Sequence, residues 1–190
     1  MHHSLSYTPT PAPSVFHTDR GERVDMRDVV PQDTLLLADL LLRLSDATRW
    51  LRYFAPGPQS FARAWQEATR MAQPRTRHHA ALIATIRHGD SEVAIAVAEV
   101  VRDQRTATIG ELAIVVRDDY QTQGVGSALS GRLALSARAM GITTVRADML
   151  YQNRAAQRLM RRVFGPATAT RDRDVVTMIA HLSNAISCSM

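Results

Sequence analysis

Residues 121–126 read Gln-Thr-Gln-Gly-Val-Gly, two glycines one residue apart at the mouth of a helical pattern. The chemistry suited to such a loop is the holding of phosphate. Free N–H groups and the dipole at a helix N-terminus attract an anion, and glycine lets the backbone approach oxygen with no Cβ in the way. Three spellings of phosphate loop compete here. A Walker A loop requires Gly-Lys-Ser/Thr, and the chain contains no lysine. A dinucleotide fingerprint would use Gly124, Gly126 and the later Asp148. It fails at Leu129, which stands at the third glycine, and at residues 117–123, which replace the tight turn after Val116. The third spelling, Gln-x-x-Gly-x-Gly from Gln121 to Gly126, is complete and needs no lysine; it asks for a pyrophosphate. Two carboxylates stand in nearby apolar runs, Glu111 at the start of "ELAIVV" and Glu99 within "AVAEVV". Asn153, before "RAAQRLM", has the character of a helix N-cap.

The elements that must position these residues follow from periodicity. "RVDMRDV" at 23–29 alternates like a strand, and Pro31, Asp33 and Thr34 start a helix through "TLLLADLLLRL". Ser45 and Asp46 cap a second helix carrying Trp50, Leu51, Tyr53 and Phe54, ended by "PGP", and a third occupies residues 60–72. From Ala80 the period changes. "AALIATIR", "VAIAVAEVV" and "ATIGELAIVV" are strand-like, and the short turns "HGDS" and "DQRT" make them an antiparallel meander. After the glycine loop come a helix over 124–140 stopped by Gly141, a strand over 142–150, a helix after Asn153, and a last alternating run, "DVVTMIAHL". The pattern predicts a mixed α/β (α+β) domain over 21–190, preceded by a flexible tail over 1–20.

Composition narrows the partners. The apolar run from Thr34 is broken by Asp39 and Arg43 and falls short of the roughly 20 residues that span a bilayer. The N-terminus lacks a signal-like apolar stretch, and the single cysteine, Cys188, can form no intrachain disulfide, so a cytoplasmic protein without membrane association is expected. Net charge is +5, carried entirely by arginine on the basic side. That balance favours an anionic partner, but with 5% aromatics and no nucleic-acid motif, nucleic acid is not expected. An anionic cofactor is the economical candidate.

The block from Glu111 to Val163, "ELAIVVRDDYQTQGVGSALSGRLALSARAMGITTVRADMLYQNRAAQRLMRRV", resembles the GNAT acetyltransferase superfamily. The upstream "LSDATRWLRYFAPGP" is similar to the lead-in of the bacterial protein lysine acetyltransferase branch. The resemblance implies a mainly antiparallel central sheet flanked by helices, with a splayed central strand pair that binds acetyl-CoA and no metal. It implies that Gln121, Thr122, Gln123, Gly124, Val125, Gly126 and Ser127 hold the pyrophosphate. Backbone of Ile114, Val115 and Val116 would pair with the pantetheine arm, and Asn153 would lie beside the cofactor. Glu111 would be the general base, and the acceptor a primary amine, either a protein lysine or a small molecule, on a monomer or homodimer.

Two departures bear on chemistry. Many family members carry a tyrosine acid seven residues after the asparagine, where this chain has Met160, and Tyr151 is a possible substitute or a strand-end packing residue. Phe164-Gly165 inverts the family's usual glycine-phenylalanine order, which puts the acceptor wall in question. The lost acid leaves a non-catalytic acyl-CoA-binding module as the rival reading. Arg154, Arg158, Arg161 and Arg162 share a helix face that is either solvated or turned to the nucleotide 3′-phosphate.

Overall fold

The computed structural model describes residues 12–73 and 75–182. Eight strands form one sheet: β1 (Ser14–His17), β2 (Arg23–Asp28), β3 (His79–His88), β4 (Ser91–Arg102), β5 (Ile109–Val116), β6 (Thr144–Leu150), β7 (Ala167–Asp172) and β8 (Val175–His181). Their spatial order is β1-β2-β3-β4-β5-β6-β8-β7. Every neighbouring pair is antiparallel except β5 and β6, which run parallel. That exception follows from the connection, because only a crossover through a helix can return the chain to a parallel neighbour. The helix is α4 (Val125–Ala139).

Helices cover both faces. α4 and α5 (Arg154–Phe164) lie over one core, which takes Leu82, Ala84, Ile86, Ala98 and Val100 from the central strands. α1 (Thr34–Leu42) and α3 (Phe61–Met71) lie over the other, with Ala81, Ile83, Val97 and Val115. Burial on both faces explains why β3 and β4 read as near-continuous apolar runs instead of alternating ones. In α4 the buried stripe is Val125, Leu129 and Leu133, spaced by four and almost fully shielded. Gly141, at φ +79°, ends that helix, and the Ile142 amide donates back to the Ala137 carbonyl at 3.0 Å.

Two strands were not anticipated. β1 lies within the stretch expected to be a tail over 1–20, pairing with β2 from Ser14 opposite Met26 to His17 opposite Arg23. The tail expectation is therefore corrected for residues 14–17, while residues 1–11 and Cys188 lie outside the described residues. β7 is almost wholly exposed and built of small and polar residues, so no apolar alternation announced it. No helix among the described residues is long and apolar enough to cross a membrane.

α2 (Asp46–Tyr53) is fixed to the sheet by one carboxylate. Asp118 accepts from the Ser45 amide at 2.9 Å, the Ser45 hydroxyl at 2.6 Å and the Thr48 hydroxyl at 2.7 Å. Burial raises the Asp118 pKa, but these donors outweigh it and hold the carboxyl below its ordinary range. The consequence is that α2 is tied to the turn just before Gln121.

Candidate active site

β5 and β6 share a ladder for three residues only, 109–111 against 144–146. Beyond Glu111 the strands part, and residues 112–116 have strand partners only on the β4 side among the described residues. Gly110 permits the tight closure behind this fork, since a Cβ there would come within 2.8 Å of Val100 Cγ2 and 2.9 Å of Ile142 Cδ1. The fork opens into two adjoining cavities that share Leu51, Arg52, Ile114, Asn153, Ala156 and Leu159.

One cavity holds Glu111 and Asp148. Glu111 is exposed and sits opposite Val101 on one side and Arg146 on the other. Asp148 accepts from Arg146 Nη2 at 2.6 Å and from the Thr177 hydroxyl at 2.6 Å. Burial opposes its ionisation, yet those two donors keep its pKa below the ordinary value.

The other, the glycine-loop cavity, is lined by residues of the loop over 121–127. Gly124 is the N-cap of α4 at φ +84°, and a Cβ on it would lie 2.8 Å from Phe16 Cζ. Glycine is thus demanded twice, by the left-handed backbone and by β1. Gly126 would tolerate a Cβ at ordinary contact, 3.6 Å from Val116 Cγ2, so its bareness leaves open space at the helix mouth. Thr122 also has positive φ, at 60°. Thr122, Gly124, Gly126 and Ser127 line the cavity, where the first-turn amides of a helix lack intrahelical acceptors. Arg158 and Arg162, one turn apart on α5, face the same space. The cradle, the helix dipole and two guanidinium groups fit a pyrophosphate-bearing ligand.

Some expected residues keep their side chains out of the cavity or use them as braces. Gln121 lines the cavity while its Nε2 donates to the Val116 carbonyl and the Thr48 hydroxyl, both at 3.1 Å. Gln123 is 5% exposed and donates to the Asp119 carbonyl at 2.5 Å, and Val125 is fully buried in the core; neither side chain lines the cavity. Ile114, Val115 and Val116 line it from β5. Asn153 accepts from the Ala156 amide at 3.0 Å and also lines both cavities, so its cap role and its place at the site coexist.

Residues 23–163 match the family model described as an acetyltransferase (GNAT) domain. The chain belongs to the GNAT acetyltransferase family. Over 82 residues this GNAT domain is 40% identical to Acetyltransferase Pat of Mycolicibacterium smegmatis, a match covering 43% of the chain and 24% of that relative. Its fold matches the GNAT domain of S. lividans PAT with TM-score 0.78 and 24% identity, over 91% of this chain and 99% of that one. A cAMP-binding acyltransferase from Mycobacterium smegmatis matches with TM-score 0.63 and 27% identity, over 94% of this chain and 50% of that one. The chain therefore spans a quarter to a half of these two longer relatives.

Within the GNAT domain, Met160 is buried in the wall of the Glu111 cavity at the usual tyrosine position. Tyr151 does not replace it. Its ring is held between Arg154 and Arg171, 4.1 and 3.7 Å from its centroid, and lines neither cavity. The Phe164-Gly165 order is accommodated simply, with Phe164 ending α5 in the cavity wall and Gly165 leaving the helix at φ +79°.

Neither spacing nor residue type marked Arg52 as a site residue, and neither announced the buried network behind it. Glu99, the carboxylate within "AVAEVV", is 4% exposed. It accepts from Arg52 Nη2 at 2.8 Å and from Arg70 at 2.9 and 3.0 Å, with His79 Nε2 at an ion-pair distance of 3.5 Å. Burial opposes its ionisation, but those partners bring the pKa down to about 2.

Proposed function

We propose that this domain transfers an acetyl group from acetyl-CoA directly to a primary amine, foremost a protein lysine, with Glu111 as general base. Acetyl-CoA supplies the acyl group as a thioester open to attack by the amine. The acceptor must lose a proton, because a free lysine amine titrates near 10.4 and is almost wholly protonated at neutral pH. Glu111 takes that proton directly or through one water and, being exposed, passes it to solvent. The leaving thiol has a pKa of about 8.5, so departure as thiolate needs little help, in keeping with Met160 where many relatives have a tyrosine.

The observation that carries this reading is the place of Glu111, at the last rung of the β5–β6 ladder and in a cavity continuous with the α4 cradle. The likeness to Acetyltransferase Pat supports acetyl transfer, and the resemblance of "LSDATRWLRYFAPGP" to the lead-in of the protein lysine acetyltransferases supports a protein acceptor. Met160 favours a second reading, an acyl-CoA-binding module without turnover. Thiol release from acetyl-CoA against a panel of lysine peptides and small amines, with mass spectrometry of the products, tests both. Acetylated peptide supports the proposal, an acetylated small amine alone moves the acceptor class, and tight CoA binding with no product supports the module.

A further inference from the structure

Arg52 is the one cation lining the Glu111 cavity among the described residues, and it also lines the glycine-loop cavity. Period-two alternation puts Glu111, Ala113 and Val115 on one face of β5. Glu99 lies directly opposite Ala113 in the β4–β5 register, and therefore on that face, two residues along from Glu111. Its bond to Arg52 brings the guanidinium to the same side of the sheet as Glu111, in the cavity that both line.

This guanidinium is anchored without being used up. A guanidinium carries five N–H donors. Among the described residues, the only hydrogen bond of Arg52 is the one from Nη2 to Glu99, and its side chain is 18% exposed. Glu99 is shared with Arg70 and His79, so it does not cancel Arg52 charge for charge. The acids lie mainly on one side of the fork. Glu111 and Asp148 line only the Glu111 cavity, whereas Arg52 lines both cavities and is joined in the glycine-loop cavity by Arg158 and Arg162, with Asp19 as the acid there. An incoming amine is suited to the acidic side, and an anionic group to the side nearer the donor.

We infer that Arg52 recognises a carboxylate at the end of the donor's acyl chain, so that malonyl- and succinyl-type thioesters are substrates beside acetyl-CoA. The inference rests on the proposed reading that this cleft transfers acyl groups from coenzyme A. A carboxylate there exchanges water for a charge-assisted bond to a preorganised donor. An uncharged chain of the same length gains no such bond.

Calorimetric binding of succinyl-CoA and butyryl-CoA, which share a four-carbon chain, tests this without needing an acceptor. Wild type should bind succinyl-CoA about tenfold more tightly or better, Arg52→Gln should erase the difference, and Arg52→Lys should keep part of it. Thermal melting of each variant shows that it is folded. Equal binding by wild type overturns the inference, and so does a loss in Arg52→Gln that is the same for both thioesters, since Arg52 would then be a general coenzyme contact. If Arg52→Gln instead alters only the ranking of acidic against neutral lysine peptides with acetyl-CoA, the carboxylate belongs to the acceptor and the donor assignment is overturned. Absence of thiol release by wild type with every amine, alongside a persisting succinyl preference, would sink the transferase reading while leaving Arg52 as assigned.

Discussion

Glu111 and Arg146 form the last rung between β5 and β6, and the cleft begins where their ladder stops. A carboxylate at that rung is held by backbone on both sides while its side chain stays free in the cavity. Position is fixed by the sheet, and reactivity by what the helices bring over it.

The first prediction concerns acid stability. The Glu99 pKa is depressed from 4.5 to about 2, so the folded state binds its proton less readily than the unfolded chain. Its contribution is fully present above about pH 4.5 and is lost as pH falls towards 2, a loss on the order of 3 kcal/mol. Glu99→Gln should lower the melting temperature at pH 7, because Arg52 loses its carboxylate partner and Arg70 keeps only Glu67, and should flatten the decline between pH 4.5 and 2. Denaturation midpoints across that range check both effects.

Gly126 separates binding from folding. A Cβ there meets only ordinary contacts, and alanine is the better helix former by roughly 0.5–1 kcal/mol. Gly126→Ala should therefore melt no lower than wild type yet bind acetyl-CoA several-fold more weakly, because the methyl group fills the mouth of the cradle. Gly124→Ala should fail on both counts, given its φ of +84° and the 2.8 Å approach to Phe16. Calorimetry beside thermal melting distinguishes the two variants.

Arg158 and Arg162 should act through charge. Replacing both with glutamine should weaken acetyl-CoA binding about tenfold at low salt and by less at 0.5 M salt, where exposed charges are screened. Arg161→Gln, on the same helix but outside both cavity walls, should change affinity little. Affinity measured as a function of salt for the two variants checks the assignment.

Local features of the site were legible from sequence. The glycine spacing marked the α4 mouth, Gly141 marked its end, and Glu111 stood out in an apolar strand. Features set by distant pairing were not. Arg52 and Glu99 are 47 residues apart, and Asp118 reaches back 73 residues to Ser45. Nothing in the local pattern of either segment announces such partners. β1 and β7 escaped for another reason: each is an edge strand with little buried surface, so little apolar periodicity was required of it.

The absence of lysine simplifies one experiment, since no acetyl-lysine detected in an assay can come from the enzyme itself. The most direct test of the account is therefore Glu111→Gln, assayed for thiol release with a lysine acceptor and for acetyl-CoA affinity by calorimetry. The account predicts a fall in kcat of about 10²–10⁴-fold with acetyl-CoA binding unchanged, as expected for loss of a general base. Turnover equal to wild type would contradict the central claim.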